Sequence, residues 1–294
     1  MAKLMNNINF RICGLFIFII FSWGLAWPIN KMGLEYATPV WYTAIRLIVG
    51  TATMMALIII LKKFTWPRPK DYPLILIIGI LQISLYILLA NIGLAYLPAG
   101  RASLIAYTTP LWVMPAVTIF FKEEAGLLRW MGFLLGISGL MLLLSPWEMD
   151  WNNKDVLVGS GMLLLASLSW AISMLCARYM HWTKSPLELI PWQLLIGTIP
   201  IVISAYISEP SMQINWTSEL ILSLVYTGFL VTGLSYWSGL VINKELPTLV
   251  VSIGFLFVPV LSLIMSTLYM QEAIQGITIT AMLLILGGML CVVA

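Results

Sequence analysis

The sequence predicts an all-α integral membrane protein: ten transmembrane helices arranged as two five-helix repeats of inverted topology around a central cavity. Three observations carry this expectation: the chain is too apolar for water, its apolar runs have membrane length, and its first half recurs in its second. Of 294 residues, 61% are hydrophobic and 9% charged, with a mean hydropathy of +0.99. A soluble globule of that composition would lack the polar groups to cover its surface.

Apolar runs long enough to cross a hydrocarbon core, about 20 residues of helix, lie near 11–30, 40–62, 73–96, 98–121 and 127–145, then 157–180, 186–207, 217–242, 247–269 and 273–293. A shift of 147 lays Gly14, Ser22, Trp23, Pro39 and Gly50 on Gly161, Ser169, Trp170, Pro186 and Gly197. A shift of 149 then lays Leu97-Pro98, Ser103, Pro110, Glu123 and Gly139 on Leu246-Pro247, Ser252, Pro259, Glu272 and Gly288. The chain thus divides into an N-terminal stretch 1–10, a first repeat 11–145, a connecting loop 146–156 and a second repeat 157–294. An odd number of spans per repeat forces the two copies to cross the membrane in opposite directions. Such inverted repeats commonly hold a substrate at the midplane between them.

Lys3 and Arg11 before the first apolar run resemble a signal peptide, yet the Ser22-Trp23 pair recurs at Ser169-Trp170 in mid-chain, so the run is read as a mature helix. With the N-terminus inside, eleven basic residues fall at cytoplasmic ends against three, Lys31, Arg101 and Lys154, at outer ends. That excess sets the orientation, with both termini cytoplasmic and the second segment set running opposite to the first. The localisation expected is a plasma membrane, specifically a bacterial inner membrane. The net charge of +3 is small and sits in short loops, which excludes a nucleic-acid partner.

Chemistry inside the membrane needs groups that can meet. Asp71, Asp150 and Asp155 lie in loops, no segment carries a mid-depth Glu, and the single His181 stands at a helix end. Intramembrane proteolysis by paired carboxylates is therefore excluded, and a Ser/His or metal mechanism is left with one His. Cys13, Cys176 and Cys291 are odd in number, fall in apolar stretches and lack neighbours at metal-ligand spacing, so disulfide, zinc and cofactor readings all fail. The protein is not expected to be an enzyme, and no cofactor is expected.

At depth the segments carry aromatic and uncharged polar side chains instead. Trp23, Trp27 and Asn30 follow i, i+4, i+7; Gln82 and Tyr86 follow i, i+4, as do Ser103 and Tyr107, with Pro110 at i+7; Asn91 lies further along the third segment. Trp170 duplicates Trp23, and Tyr236 lies on the partner of the third segment. Aromatic walls with a few hydrogen-bonding groups suit a small amphipathic or zwitterionic metabolite. Trp41, Trp66, Trp147, Trp151 and Trp216 fit an interfacial belt instead. For Trp23 and Trp170, too central for a belt, cavity lining competes with plain helix packing.

Arg46 is the one basic residue well inside a segment, and its repeat mate is Gln193. Two readings stand: a gate or anion-facing charge, or a side chain snorkelling to the interface. Pro110 and Pro259 sit in mid-segment, where each breaks a backbone bond and supplies a hinge. Glu123 and Glu272, each thirteen residues after its proline, fit structural anchors at helix N-termini. Small residues at Gly132, Gly136 and Gly139, and more weakly at Ala281 and Gly288, suit close packing of the fifth and tenth segments.

Two five-segment repeats, each with a Ser-Trp in its first segment, a Leu-Pro before its fourth, a mid-segment Pro and a Glu thirteen residues on, resemble the drug/metabolite transporter superfamily, specifically its ten-helix EamA-type members. The resemblance spans about residues 11 to 293. It implies a basket in which helices 1, 3, 4, 6, 8 and 9 surround a cavity while 5 and 10 buttress it. It also implies alternating access with amino acids and related metabolites, mostly exported. Carried over by position, Trp23, Gln82, Tyr86, Tyr107, Trp170 and Tyr236 face that cavity. The departure is the ninth segment, where 250–257 offers only Ser252 as a polar side chain.

The function expected is therefore secondary transport of a small-molecule substrate by a lipid-embedded monomer. The alternative is a non-transporting receptor or assembly component with the same fold. A proton-driven carrier commonly titrates an embedded carboxylate or His; lacking one at mid-depth, this chain is expected to work by facilitated diffusion or exchange.

Overall fold

The computed structural model describes residues 10–121, 126–144, 154–246, 251, 255, 257–271 and 276–293. Among them the regular structure is helical, apart from one isolated antiparallel bridge between Ala37 and Ile214. The first repeat supplies α1 (Phe10–Gly33), α2 (Pro39–Ile60), α3 (Pro69–Tyr96), α4 (Ala99–Phe120) and α5 (Leu127–Leu144). The second supplies α6 (Lys154–Tyr179), α7 (Pro186–Ser208), α8 (Ser218–Glu245), α9 (Phe257–Met270) and α10 (Gly276–Val293). Seven of them, α1 to α4 and α6 to α8, are long and apolar enough to cross a membrane. The protein is thus a multi-span helical membrane protein.

Helix starts follow local chemistry. Pro39 and Pro186 occupy the first turns of α2 and α7, where a missing N–H costs nothing. Ser185 and Glu188 close a capping box on α7. Thr38 makes no such cap on α2. The carboxylate of Glu209, at the end of α7, does it from the other repeat: it accepts from the Thr38 hydroxyl and, at 3.3 Å, from the Trp41 N–H.

Two devices recur in duplicate. Both α3 and α8 change to a π-helical stretch in mid-span, Ile78–Leu85 in one and Tyr226–Ser235 in the other, which overlap under the 149-residue shift. The fourth segment is broken near its middle, and in the ninth a turn precedes the described helix. Residues Ala99–Ala106 and Thr109–Phe120 form separate half-helices with Tyr107 and Thr108 between, and Phe257–Met270 begins after a turn at Phe255. This corrects the expectation for the prolines: Pro110 and Pro259 open the half-helix after each break instead of kinking a continuous one.

Packing joins the repeats at glycine. A Cβ on Gly79 of α3 would lie 2.9 Å from the Gln193 carbonyl oxygen, and one on Gly197 of α7 would lie 2.6 Å from the Gly79 carbonyl oxygen. Backbone meets backbone there, so only hydrogen fits. Gly50 of α2 and Gly228 of α8, their repeat mates, make the equivalent crossing, with the Gly228 carbonyl oxygen 3.1 Å from a Gly50 Cβ. Residues one repeat apart also touch directly. The hydroxyls of Thr51 and Thr198 are 2.8 Å apart, the rings of Trp23 and Trp170 have centroids 5.4 Å apart, and α5 packs along α10 where Gly139 meets Ala281 and Gly288 meets Gly132.

Candidate functional site

The central aromatics converge. Trp170 on α6 stands 4.5 Å from Tyr86 on α3 and 5.5 Å from Tyr236 on α8, while Trp23 on α1 lies 5.7 Å from Tyr236 and 5.0 Å from Phe255, centroid to centroid. Trp27, one turn beyond Trp23, faces Tyr107 at the break in α4 at 6.3 Å. These tilted and edge-to-face pairings suit the ring quadrupoles and hold the walls in place. They surround a small cavity, to whose lining Ala26, Ile87, Ala90 and Val231 also belong.

The polar lining of this cavity is Asn30, Arg46 and Asn91, with the tyrosine hydroxyls and indole nitrogens of its aromatic walls. Arg46 is buried and donates from Nε to the Thr232 hydroxyl at 2.8 Å and from Nη1 to Asn30 Oδ1 at 3.4 Å. Asn30 Oδ1 also accepts from the Tyr42 hydroxyl at 2.9 Å, and that hydroxyl shares a 2.6 Å hydrogen bond with Ser223. Asn91 donates from Nδ2 to Thr43 Oγ1 at 2.8 Å. The three groups are therefore oriented by α2 and α8 behind them. Among the described residues no acidic side chain lines the cavity, and no cluster of His, Cys, Asp and Glu is placed to hold a metal ion.

Seven of the eight residues expected to face a substrate do line this cavity: Trp23, Trp27, Tyr86, Asn91, Tyr107, Trp170 and Tyr236. Gln82 does not. Its Oε1 accepts from the Ser173 hydroxyl at 2.9 Å and its carbonyl oxygen from the Tyr236 hydroxyl at 3.4 Å, so it braces the wall from behind. Gln82 lies within the π-helical stretch Ile78–Leu85, which Tyr86 follows.

Arg46 reaches the cavity instead of snorkelling outward, whereas its mate Gln193 is fully buried away from it with neither amide atom hydrogen-bonded. Where Arg46 meets Thr232, the duplicated position on α3 is Ile83, which offers no acceptor.

Glu123 and Glu272 lie outside the described residues, as do Ser252, Trp147 and Trp151. Trp66 and Trp216 are exposed, as a belt requires, but Trp41 is buried and donates from Nε1 to the Glu209 carbonyl at 2.9 Å. Asn30, read in the sequence on the face of Trp23 and Trp27, lines the cavity with them. Phe255 was not singled out from the sequence, since it sits in a run so uniformly apolar that nothing distinguishes it; it lines a second, smaller space with Tyr86, Tyr107 and Trp170.

Comparison with known proteins agrees with this architecture. The model of the EamA-like transporter family matches residues 11–145 and 157–294. The chain is 28% identical to the uncharacterized transporter YvbV of Bacillus subtilis, over 95% of this chain and 90% of that protein. It is also 28% identical to a Salmonella typhimurium protein named as a probable amino-acid metabolite efflux pump, over 93% of this chain and 91% of that one. A solved crystal structure shares its fold with a TM-score of 0.71 at 18% identity, covering 95% of this chain and 98% of that chain. With a transporter-family model matching nearly all of its length, the chain belongs to the EamA-like family of the drug/metabolite transporter superfamily and is a secondary transporter of small metabolites, not an enzyme.

Proposed function

We propose that the protein is a ten-span, alternating-access carrier that exports small amphipathic or zwitterionic metabolites, amino acids among them, through the cavity between two inverted repeats. The observation that carries this is the contact of Trp23 with its own repeat mate Trp170 in the cavity wall. Residues that meet their own duplicates lie on a two-fold axis, and the Thr51–Thr198 and α5–α10 contacts fall on it as well. With five segments per repeat such an axis runs in the membrane plane, as alternating access by repeat exchange requires. The repeats are 11–145 and 157–294, joined by an outer loop 146–156. The location is a bacterial inner membrane, with 1–10 and the C-terminus cytoplasmic. The working unit is a monomer.

Substrate would bind among the aromatic rings at about the midplane, Trp23, Trp27, Tyr86, Asn91, Tyr107, Trp170 and Tyr236 supplying the walls and Arg46 the charge. The rings already touch one another, so the cavity is nearly closed and opens by parting them. The duplicated breaks before Pro110 and Pro259 supply hinges, because a broken helix can change its angle without losing bonds it does not have. Facilitated diffusion or exchange is the mode in keeping with a cavity that has no described carboxylate. Export follows the role named for the Salmonella relative.

The test is counterflow in proteoliposomes. Vesicles preloaded with an unlabelled amino-acid mixture should accumulate labelled tracer above empty vesicles, and Trp170→Ala should abolish the signal. Absence of counterflow for every amino acid and amine tried would sink the carrier reading.

A further inference from the structure

The charge in the cavity has no described counter-charge. Arg46 lies on α2 seven residues beyond Pro39, roughly 10 Å into the helix at 1.5 Å per residue, and is buried with 5% of its surface exposed. A guanidinium carries five N–H donors, of which two have protein acceptors, Thr232 and Asn30. No carboxylate among the described residues forms an ion pair with it, and among those residues it is the one charged side chain lining the cavity. A cation held in an apolar membrane interior is expensive unless something anionic meets it. Its orientation is fixed, since Asn30 Oδ1 is itself tethered by the Tyr42 hydroxyl at 2.9 Å. A second donor points the same way: Trp23 lines this cavity, and its buried Nε1 has no hydrogen-bond partner.

The cavity is thus rich in donors, without a described carboxylate and walled by rings. From this we infer that Arg46 is the anchor for a substrate carboxylate, and that the preferred substrate is a small monocarboxylate with an aromatic or apolar body, its amino group, where present, being dispensable. The carboxylate takes the free N–H groups of Arg46, and the body lies between Trp23, Trp170, Tyr86 and Tyr236. An ammonium would find ring faces but no acidic partner among the described lining residues. The duplicated position holds Gln193, buried away from the cavity, so the anchor is single and fits one carboxylate per substrate. This inference rests on the cavity being the substrate site.

Equilibrium binding to the purified full-length chain in detergent tests it, with radiolabelled phenylacetate as probe and phenylacetamide and phenethylamine as competitors of the same body. Phenylacetate should bind at least about tenfold more tightly than either, the worth of one charge-assisted bidentate pair. Arg46→Gln, which places the repeat mate's own side chain there, should bring phenylacetate down to the level of phenylacetamide. Asn30→Asp should do the same with Arg46 intact, by setting an internal carboxylate against the guanidinium; it decides the matter if the Arg46 variant does not fold. Amide or amine binding as tightly as phenylacetate, or undiminished phenylacetate binding in both variants, overturns the carboxylate anchor and leaves the cavity standing as a binding site. Failure of all three compounds to bind the wild-type chain overturns the anchor and the cavity reading together.

Discussion

Single side chains divide into those that a linear reading places and those it misplaces. Trp23 and Trp170 were legible because mid-span tryptophan has no interface to serve and because the duplication marks them twice. Gln82 was not, because its side chain is taken up by the Ser173 hydroxyl of α6, a partner 91 residues away that no spacing within α3 reveals. Two predictions belong at this scale. Replacing Trp23 by Phe keeps a ring in the wall but removes the unpartnered Nε1–H. It should weaken substrate binding about two- to tenfold, the worth of one hydrogen bond, with the melting temperature in detergent nearly unchanged. Gln193→Met removes a buried amide whose two polar atoms lack partners. It should stabilise the protein by about 1–3 kcal/mol, the usual cost of such a group, read as a rise in the thermal unfolding midpoint.

Elements were legible as apolar runs, and the bounds predicted for the first four lie within a few residues of α1 to α4. Hidden from the sequence was their internal irregularity. The π-helical stretches carry no local signal, whereas the breaks at Tyr107 and Phe255 are announced only by the prolines that follow them, Pro110 and Pro259. The α2 cap is a further example, for its acceptor lies 171 residues away along the chain. Glu209→Ala leaves the α2 N-terminus without its carboxylate and should cost about 1–2 kcal/mol, as loss of a helix N-cap does. Thermal unfolding checks this, and Ser185→Ala, which removes a cap supplied within α7, should cost a similar amount. At the Gly79–Gly197 crossing, Gly197→Val should destabilise severely, because the 2.6 Å approach is to a backbone oxygen that cannot rotate away.

For the whole molecule, orientation is the open prediction. In a chain cleared of Cys13, Cys176 and Cys291, Lys63→Cys should react with a membrane-impermeant thiol reagent from the cytoplasmic face, and Ser211→Cys from the outside, both sites being exposed. Reaction of both from one side would contradict inverted repeats. If the substrate is a monoanion, its outward movement carries negative charge down an inside-negative potential. Phenylacetate efflux from proteoliposomes should then quicken when the interior is made negative, without any proton gradient.

By itself the sequence determined the solvent, the place and approximate length of the long apolar segments α1 to α4 and α6 to α8, and the aromatic character of the interior. These follow from composition and periodicity, which are properties of the chain taken in order. The tertiary structure decided which of those aromatics meet, that Arg46 joins them while Gln193 stays sealed in the packing, and that Gln82 stands behind the wall. Such outcomes depend on helix crossings at Gly50, Gly79, Gly197 and Gly228 and on local unwinding of α3 and α8. A rotation of a few tens of degrees there moves a side chain from cavity to core, and only the contact between helices fixes that angle.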